Sequence, residues 1–353
     1  MSGLYIHIPF CERKCSYCAF YSFPRPWKNE DGFFQALEKE LQTLPADFLP
    51  ETVFIGGGTP TALDIQTLAK LFSLLRKFSP AEFSCEANPG TVDRQKLDLL
   101  RKSGVNRLSI GVQSFDSRCL ETLGRIHSAE EAEAAFRLAR AAGFENTGLD
   151  LMFGIPGQTV PKLEADLDRA LALNPQHISI YNLMYEEGTL LTNLKPQKLD
   201  ESLERDMYDL IRRRLTVAGF VHYEISNFAR PGFECRHNLL YWSGGEYIGV
   251  GPAAHSHWKG MRWANTADLD GYCANGPRRA FDEKLDPEAK ERETLVMGLR
   301  RLAGVDVSAG LWKTLGGNFR TLEKEGLLVI EGNRVRLSEE ALFVSDAVFA
   351  ELV

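Results

Sequence analysis

No stretch of this chain approaches the roughly 20 consecutive apolar residues of a membrane-spanning helix, so contact with a bilayer would have to be peripheral or through a partner. Cationic surplus is missing too. Lys and Arg number 41 against 48 Asp and Glu, and a formal charge of −7 excludes a general nucleic-acid binder, which gathers cations against phosphate. The run Arg212, Arg213, Arg214 is a local exception that reads as a solvated helix face. The sequence does not open on a charged-then-apolar signal segment, and its seven cysteines are odd in number. Both point away from a disulfide framework and toward a reducing, cytoplasmic setting. A second C-x-x-C pair, which would complete the usual ligand set of a structural zinc site, is also absent.

What is present begins at Cys11, Cys15 and Cys18, a C-x-x-x-C-x-x-C run between strand-like YIHIPF and aromatic AFYSF. Three thiolates leave one position of a four-ligand centre open. A [4Fe–4S] cluster held by three cysteines has one iron free for a ligand other than protein, which suggests chemistry rather than scaffolding. The alternative is a zinc knot completed by His7 or by distant Cys85, Cys119, Cys235 or Cys273.

With 353 residues, 44% of them hydrophobic, the chain can bury one large core and a small appended domain. Short β-rich runs are expected at Tyr5–Ile8, Thr52–Ile55, Glu82–Glu86, Arg107–Gly111, Thr147–Leu151 and His177–Tyr181. Between them, leucines recur at helical spacing: Leu37, Leu41 and Leu44; Leu68, Leu71 and Leu75; Leu97 and Leu100; Leu163, Leu167 and Leu171. Six strand–helix units imply a parallel sheet, and six is short of the eight that close a full barrel. The expected fold is therefore α/β, an open partial (β/α)6 barrel. Near Pro277 the texture turns to charged helix, then to helix, strand, turn, strand, helix, with Glu331-Gly332-Asn333 as the turn. That predicts a barrel domain over 1–277 and a small α+β, winged-helix-like domain over 278–353. Its lack of a basic recognition helix argues against DNA binding.

Unusual residues fall at the expected C-terminal strand ends, where barrels hold ligands. Gly56-Gly57-Gly58-Thr59-Pro60 follows the second strand and lets backbone approach a ligand closely. Glu86 ends the third, Gln113 follows the fourth, and Asp150 and Met152 lie in the fifth. Singly, each could be an ordinary cap or turn residue. Together with the cysteine run they resemble the radical S-adenosylmethionine superfamily, and within it the family of oxygen-independent coproporphyrinogen oxidases and related heme chaperones. The resemblance covers nearly the whole chain. It implies that the open iron chelates S-adenosylmethionine, and that electron transfer from the cluster releases a 5′-deoxyadenosyl radical. It further implies that Tyr5 lies on the sulfonium side, Tyr17 packs on adenine, and Gly57, Gly58 and Thr59 bind the methionine amino group. Glu86, Gln113, Arg125 of LGRIHS and Asp150 would line the rest of the pocket, with Met152 beside them.

Three features bear on the branch. The oxidases carry a further cysteine two residues after the third, where this sequence has Phe20; they also carry an N-terminal extension, whereas this chain begins almost at the cluster strand. The third feature, His237-Asn238-Leu239-Leu240-Tyr241-Trp242, resembles the H-N-x-x-Y-W mark of the chaperone branch. His237 offers an imidazole for heme iron, and Tyr241 and Trp242 offer flat faces for a porphyrin, although core roles for all three are equally open. His255, alternating with His257, and Cys235 are reserve ligands.

Three functions follow from the resemblance. The first is a carrier that binds heme and delivers it to client hemoproteins such as cytochromes at the inner membrane face, with the cluster and S-adenosylmethionine supporting transfer or homodimer formation. The second is oxidative decarboxylation of coproporphyrinogen III, and the third is radical modification of heme.

Overall fold

The computed structural model describes residues 1–353. Apolar runs bounded by turns form six parallel strands, each followed by helix: β1 (Ser2–Ile8), β2 (Thr52–Gly57), β3 (Glu82–Ala87), β4 (Arg107–Gln113), β5 (Asn146–Phe153) and β6 (His177–Asn182). They pair in chain order, Ile6 opposite Ile55 and Cys85 opposite Leu108. The expected barrel of six strand–helix units is thus present, each strand extending one to three residues beyond the expected run.

The sheet continues past both flanks of this barrel. On the β6 side lie two antiparallel strands, β7 (Val221–Glu224) and β8 (Asn227–Ala229). On the β1 side, β9 (Glu246–Val250) adds a seventh parallel strand. It leads into an antiparallel meander of β10 (His255–Trp258), β11 (Met261–Asn265) and β12 (Arg279–Lys284). The order is β12-β11-β10-β9-β1-β2-β3-β4-β5-β6-β8-β7, a single 12-stranded sheet. Because β12 still pairs with β11, the sheet runs beyond the change of texture at Pro277, and the helix Pro287–Gly298 follows it.

Amphipathic helices cover the barrel as their leucine spacing requires. Leu37, Leu41, Leu68, Leu71, Leu97, Leu100, Leu163 and Leu167 are buried in one core cluster, while Leu44 and Leu171 pack at its margin. The C-terminal unit joins the same cluster through Leu311, Phe319 and Val335. Its three-stranded sheet has the order β13 (Val305–Asp306), β15 (Arg334–Leu337), β14 (Leu328–Glu331), and Gly332 turns the hairpin at φ +67°. The arginine run is not simply solvated: Arg212 pairs with Asp209 and Glu339, and Arg214 with Glu164 and Asp168.

One buried carboxylate shapes the barrel rim. Asp166 accepts hydrogen bonds from Ser114 Oγ at 2.6 Å and Phe115 N at 2.7 Å, pinning the turn that follows β4. Asp166→Ala orphans both donors and is expected to cost about 1–3 kcal/mol, read from urea unfolding. Unchanged stability would mean that water replaces the carboxylate at no cost.

Candidate functional site

The cysteine loop is built by backbone contacts at the end of β1. Gly58 N donates to Ile8 O at 2.8 Å and Thr59 N to Phe10 O at 2.7 Å, drawing the glycine turn against the first cysteine. Only glycine fits at 58, since a Cβ there would lie 2.6 Å from the Phe10 carbonyl oxygen. Gly57 has φ +108°, a conformation that side chains resist. Further along, Ser16 N donates to Leu123 O and Leu191 N to Ser16 O, tying the loop to the segments after β4 and β6.

These ties place Cys11, Cys15 and Cys18 on one cavity of about 390 Å³. Tyr17, Gly57, Gly58, Thr59, Glu86, Gln113, Arg125, Asp150 and Met152 line it with them. Gln113 reaches it through a strand irregularity: register shifts between Gly111 and Gln113, and Gln113 stands at φ +69°, as an extra residue re-aims a strand end. Polar hydrogens point at sulfur. Arg125 Nη1 donates to Cys15 Sγ at 3.4 Å and Thr59 Oγ1 to Cys11 Sγ at 3.7 Å. Burial pushes the Cys11 and Cys18 thiols up, an opposing cost that hydrogen bonds to both sulfurs reduce. Asn88, which sequence reasoning passed over, joins the set: its amide donates to Thr59 Oγ1 and its oxygen accepts from Arg125. Its signal was its place in CEANPG, beside Glu86. Ser109 Oγ donates to Asp150 at 2.9 Å, and Gly57 N to Glu86 at 3.2 Å.

Two sequence expectations need correction. Tyr5 does not reach this cavity; its hydroxyl meets His7 Nδ1 at 3.1 Å, and its ring faces the barrel lumen and a second cavity. His237 does not present a free nitrogen to iron. It is buried, with Nδ1 against Thr52 Oγ1 and Nε2 against Tyr241 Oη, both at 2.8 Å, and burial lowers its pKa to about 3. The Glu82 carboxylate accepts from Arg236 N and His237 N, holding the start of the helix Arg236–Trp242 against the N-terminal ends of β2 and β3. That is the end of a barrel where buried residues serve stability.

The zinc alternative also fails on geometry. His7 is engaged by Tyr5 and Tyr21, and Cys85, Cys119, Cys235 and Cys273 lie off the cavity, Cys235 beside Glu82. No three His, Cys, Asp or Glu side chains are gathered tightly enough to hold a single ion. Three thiols on one roomy cavity with a glycine-lined wall suit a cluster with a small polar ligand beside it.

A second cavity, of about 620 Å³, opens between β1, the β9–β12 meander and the helix Pro287–Gly298. Tyr241, Trp242, Tyr247, His255 and His257 line it, and it shares the Ala19–Phe20 wall with the cysteine cavity. Phe20 is 69% exposed, so it fills neither core.

The comparisons with known proteins follow this architecture. The Radical SAM superfamily model matches residues 5–170, from β1 through the helix after β5, and the HemN C-terminal domain model matches residues 285–344. The chain is thus a radical S-adenosylmethionine protein with a two-part build. It is 37% identical to the heme chaperone HemW of Bacillus subtilis, covering 99% of this chain and 98% of that one. To HemW of Escherichia coli it is 42% identical, over 72% and 69% of the two chains. Mitochondrial radical S-adenosyl methionine domain-containing protein 1 of Bos taurus is 34% identical, over 100% and 87%. In structure it resembles coproporphyrinogen III oxidase (HemN) from Escherichia coli, with TM-score 0.85 over 99% and 89% of the chains at 23% identity, a likeness of fold. The chain belongs to the HemW heme chaperone family. The [4Fe–4S] cluster and S-adenosylmethionine are the cofactors of that superfamily, and the cavity just described fits both.

Burial and the neighbouring Asp150 push the Glu86 carboxyl up to about 8. A carboxyl raised on folding adds stability that is complete below its ordinary value and is lost as pH rises through the folded value. Relative to Glu86→Gln, a neutral isostere, the wild type should therefore lose stability between about pH 4.5 and pH 8. Urea titrations across that window check this, and parallel curves would show that Glu86 is already ionised.

Proposed function

We propose that this protein holds a heme and hands it to client hemoproteins, with the radical S-adenosylmethionine site kept as an accessory to that transfer. The observation that carries the reading is a convergence. Phe20, which stands where the oxidases have a further cysteine, lines the same cavity as Tyr241 and Trp242 of the H-N-x-x-Y-W segment. Its 620 Å³ lies within the roughly 300–1,000 Å³ typical of small-molecule sites, and Tyr5, Phe20, Tyr21, Tyr241, Trp242 and Tyr247 give it aromatic faces suited to a flat macrocycle. Relatives covering the whole chain carry the name heme chaperone, which supports the same assignment.

In the first cavity, Cys11, Cys15 and Cys18 would ligate the cluster, whose bound form supplies one electron next to an open iron. Arg125 and Thr59 would stabilise the thiolates by hydrogen bonding. Gly57, Gly58 and Thr59 would receive the amino group of S-adenosylmethionine, Tyr17 its adenine, and Glu86, Gln113, Asp150 and Met152 its remaining contacts. A half-buried Glu86 that is protonated near neutrality can donate a hydrogen bond there as well as accept one. Heme clients would include membrane cytochromes, approached from the surface, since no helix is long and apolar enough to cross a membrane. Two copies of the chain would form the transferring species.

Cys15→Ala should abolish the iron–sulfur absorbance of reconstituted protein, and retention of four irons per chain would refute the ligand set. The function is tested by anaerobic incubation of reconstituted protein with S-adenosylmethionine and reductant, separately with coproporphyrinogen III and with heme, read by mass spectrometry. Unchanged tetrapyrroles with heme co-eluting on the protein are expected. Loss of two carboxyl groups from the porphyrinogen would make the protein an oxidase instead, and a changed heme mass would make it a heme-modifying enzyme.

A further inference from the structure

The histidines sort sharply by environment. Every histidine but one is buried or half-buried and has at least one ring nitrogen in a hydrogen bond. The exception is His255, at the start of β10, which is exposed, makes no side-chain hydrogen bond and lines the 620 Å³ cavity. Its strand neighbour His257 lines the same cavity but is committed: Nδ1 meets Gly245 O at 3.1 Å, and Nε2 accepts from Lys290 Nζ at 3.0 Å.

We propose that His255 is the heme-iron ligand of this chain, with the macrocycle seated in the cavity between β10 and the helix Pro287–Gly298, and that His237 is a positioning residue. The inference rests on the heme-carrier reading and specifies its site. Iron needs an imidazole nitrogen with an unused lone pair, and His255 alone offers one on a cavity large enough for a porphyrin. His237 is instead spent on the Tyr241 hydroxyl, which fixes the Tyr241 ring edge-on to Tyr247 at 4.5 Å between centroids. The motif histidine thereby orients one aromatic wall of the seat without touching its occupant.

The polar ends of heme find partners on the same surface. Lys290 is the cation of the cavity, and the Trp242 indole N–H is buried without a hydrogen-bond acceptor. An anionic propionate would supply the acceptor that Trp242 lacks and an ion pair for Lys290. Arg300 stacks on the Trp242 ring at 4.5 Å and holds the indole in place from the side.

The test is a titration of full-length, cluster-reconstituted protein with hemin, followed by Soret difference spectra and by EPR of the ferric heme, for wild type, His255→Ala and His237→Ala. Wild type should bind one hemin per chain with a histidine-ligated signature. His255→Ala, a surface change that leaves the cluster spectrum intact, should lose that signature. Its affinity should fall at least the roughly tenfold that follows loss of even an outer partner of a metal ligand, and added imidazole should restore the spectrum. His237→Ala should weaken binding but keep the wild-type spectral form. A wild-type spectrum and affinity in His255→Ala would overturn the ligand assignment while leaving the carrier reading intact. Transfer of the spectral loss to His237→Ala would likewise overturn it. Failure of the wild type to bind hemin stoichiometrically would overturn the carrier reading itself.

Discussion

The site depends on a close approach between two backbones. Where β1 ends, the Phe10 carbonyl occupies the space that a side chain at 58 would need, and it accepts the amide of Thr59. This contact brings the first cysteine of the run within reach of the Thr59 hydroxyl. It also turns the Gly57–Gly58 peptides toward the cavity that the cysteines share. Two segments more than 40 residues apart are thus held in register by parallel pairing of β1 with β2 and by the absence of one Cβ. A methyl group at 58 would have to move either the cysteine loop or the glycine turn, and the two surfaces of one pocket would separate.

Electrostatics then divides the labour inside that pocket. Arg125 reaches Cys15, Asn88 and the Gly111 carbonyl together, so its charge is spread over sulfur and the β4 rim. Burial raises the cost of ionising Glu86, and the neighbouring Asp150 adds to it. The result is a wall with a thiolate-favouring end and an acid end, complementary to a molecule that carries both an amine and hydroxyl groups.

Much of this was legible from residue order. Strands β1 to β6 announced themselves as apolar runs, the helices as leucine periodicities, and the site as unusual residues at strand ends. The failures have specific causes. Tyr5 precedes the cysteine run on β1, but side chains alternate across a strand, and its ring falls on the lumen and the second cavity rather than on the cysteine cavity. His237 looked like a free ligand because its partner Thr52 lies 185 residues away. The β9–β12 meander was not expected as a unit because its strands are four to six residues long and carry charged residues, Trp and His rather than alternating aliphatics. For the same reason the change of texture at Pro277 stood for a boundary that the sheet crosses.

The meander is what converts a cofactor barrel into a protein with two adjoining cavities. The barrel opens beside β1, and β9 caps that flank by parallel pairing while β10 carries its histidines onward. Ala19 and Phe20 line both spaces. A cysteine at 20 would add a thiol to that partition, whereas phenylalanine adds a flat apolar face, exposed and unattached, on the side where a macrocycle would lie. The partition is mechanically tied to the cluster loop, because Lys14 donates to the Phe20 and Ser22 carbonyls and spans the third cysteine. That lysine links the cluster loop to the Phe20 wall that both cavities share.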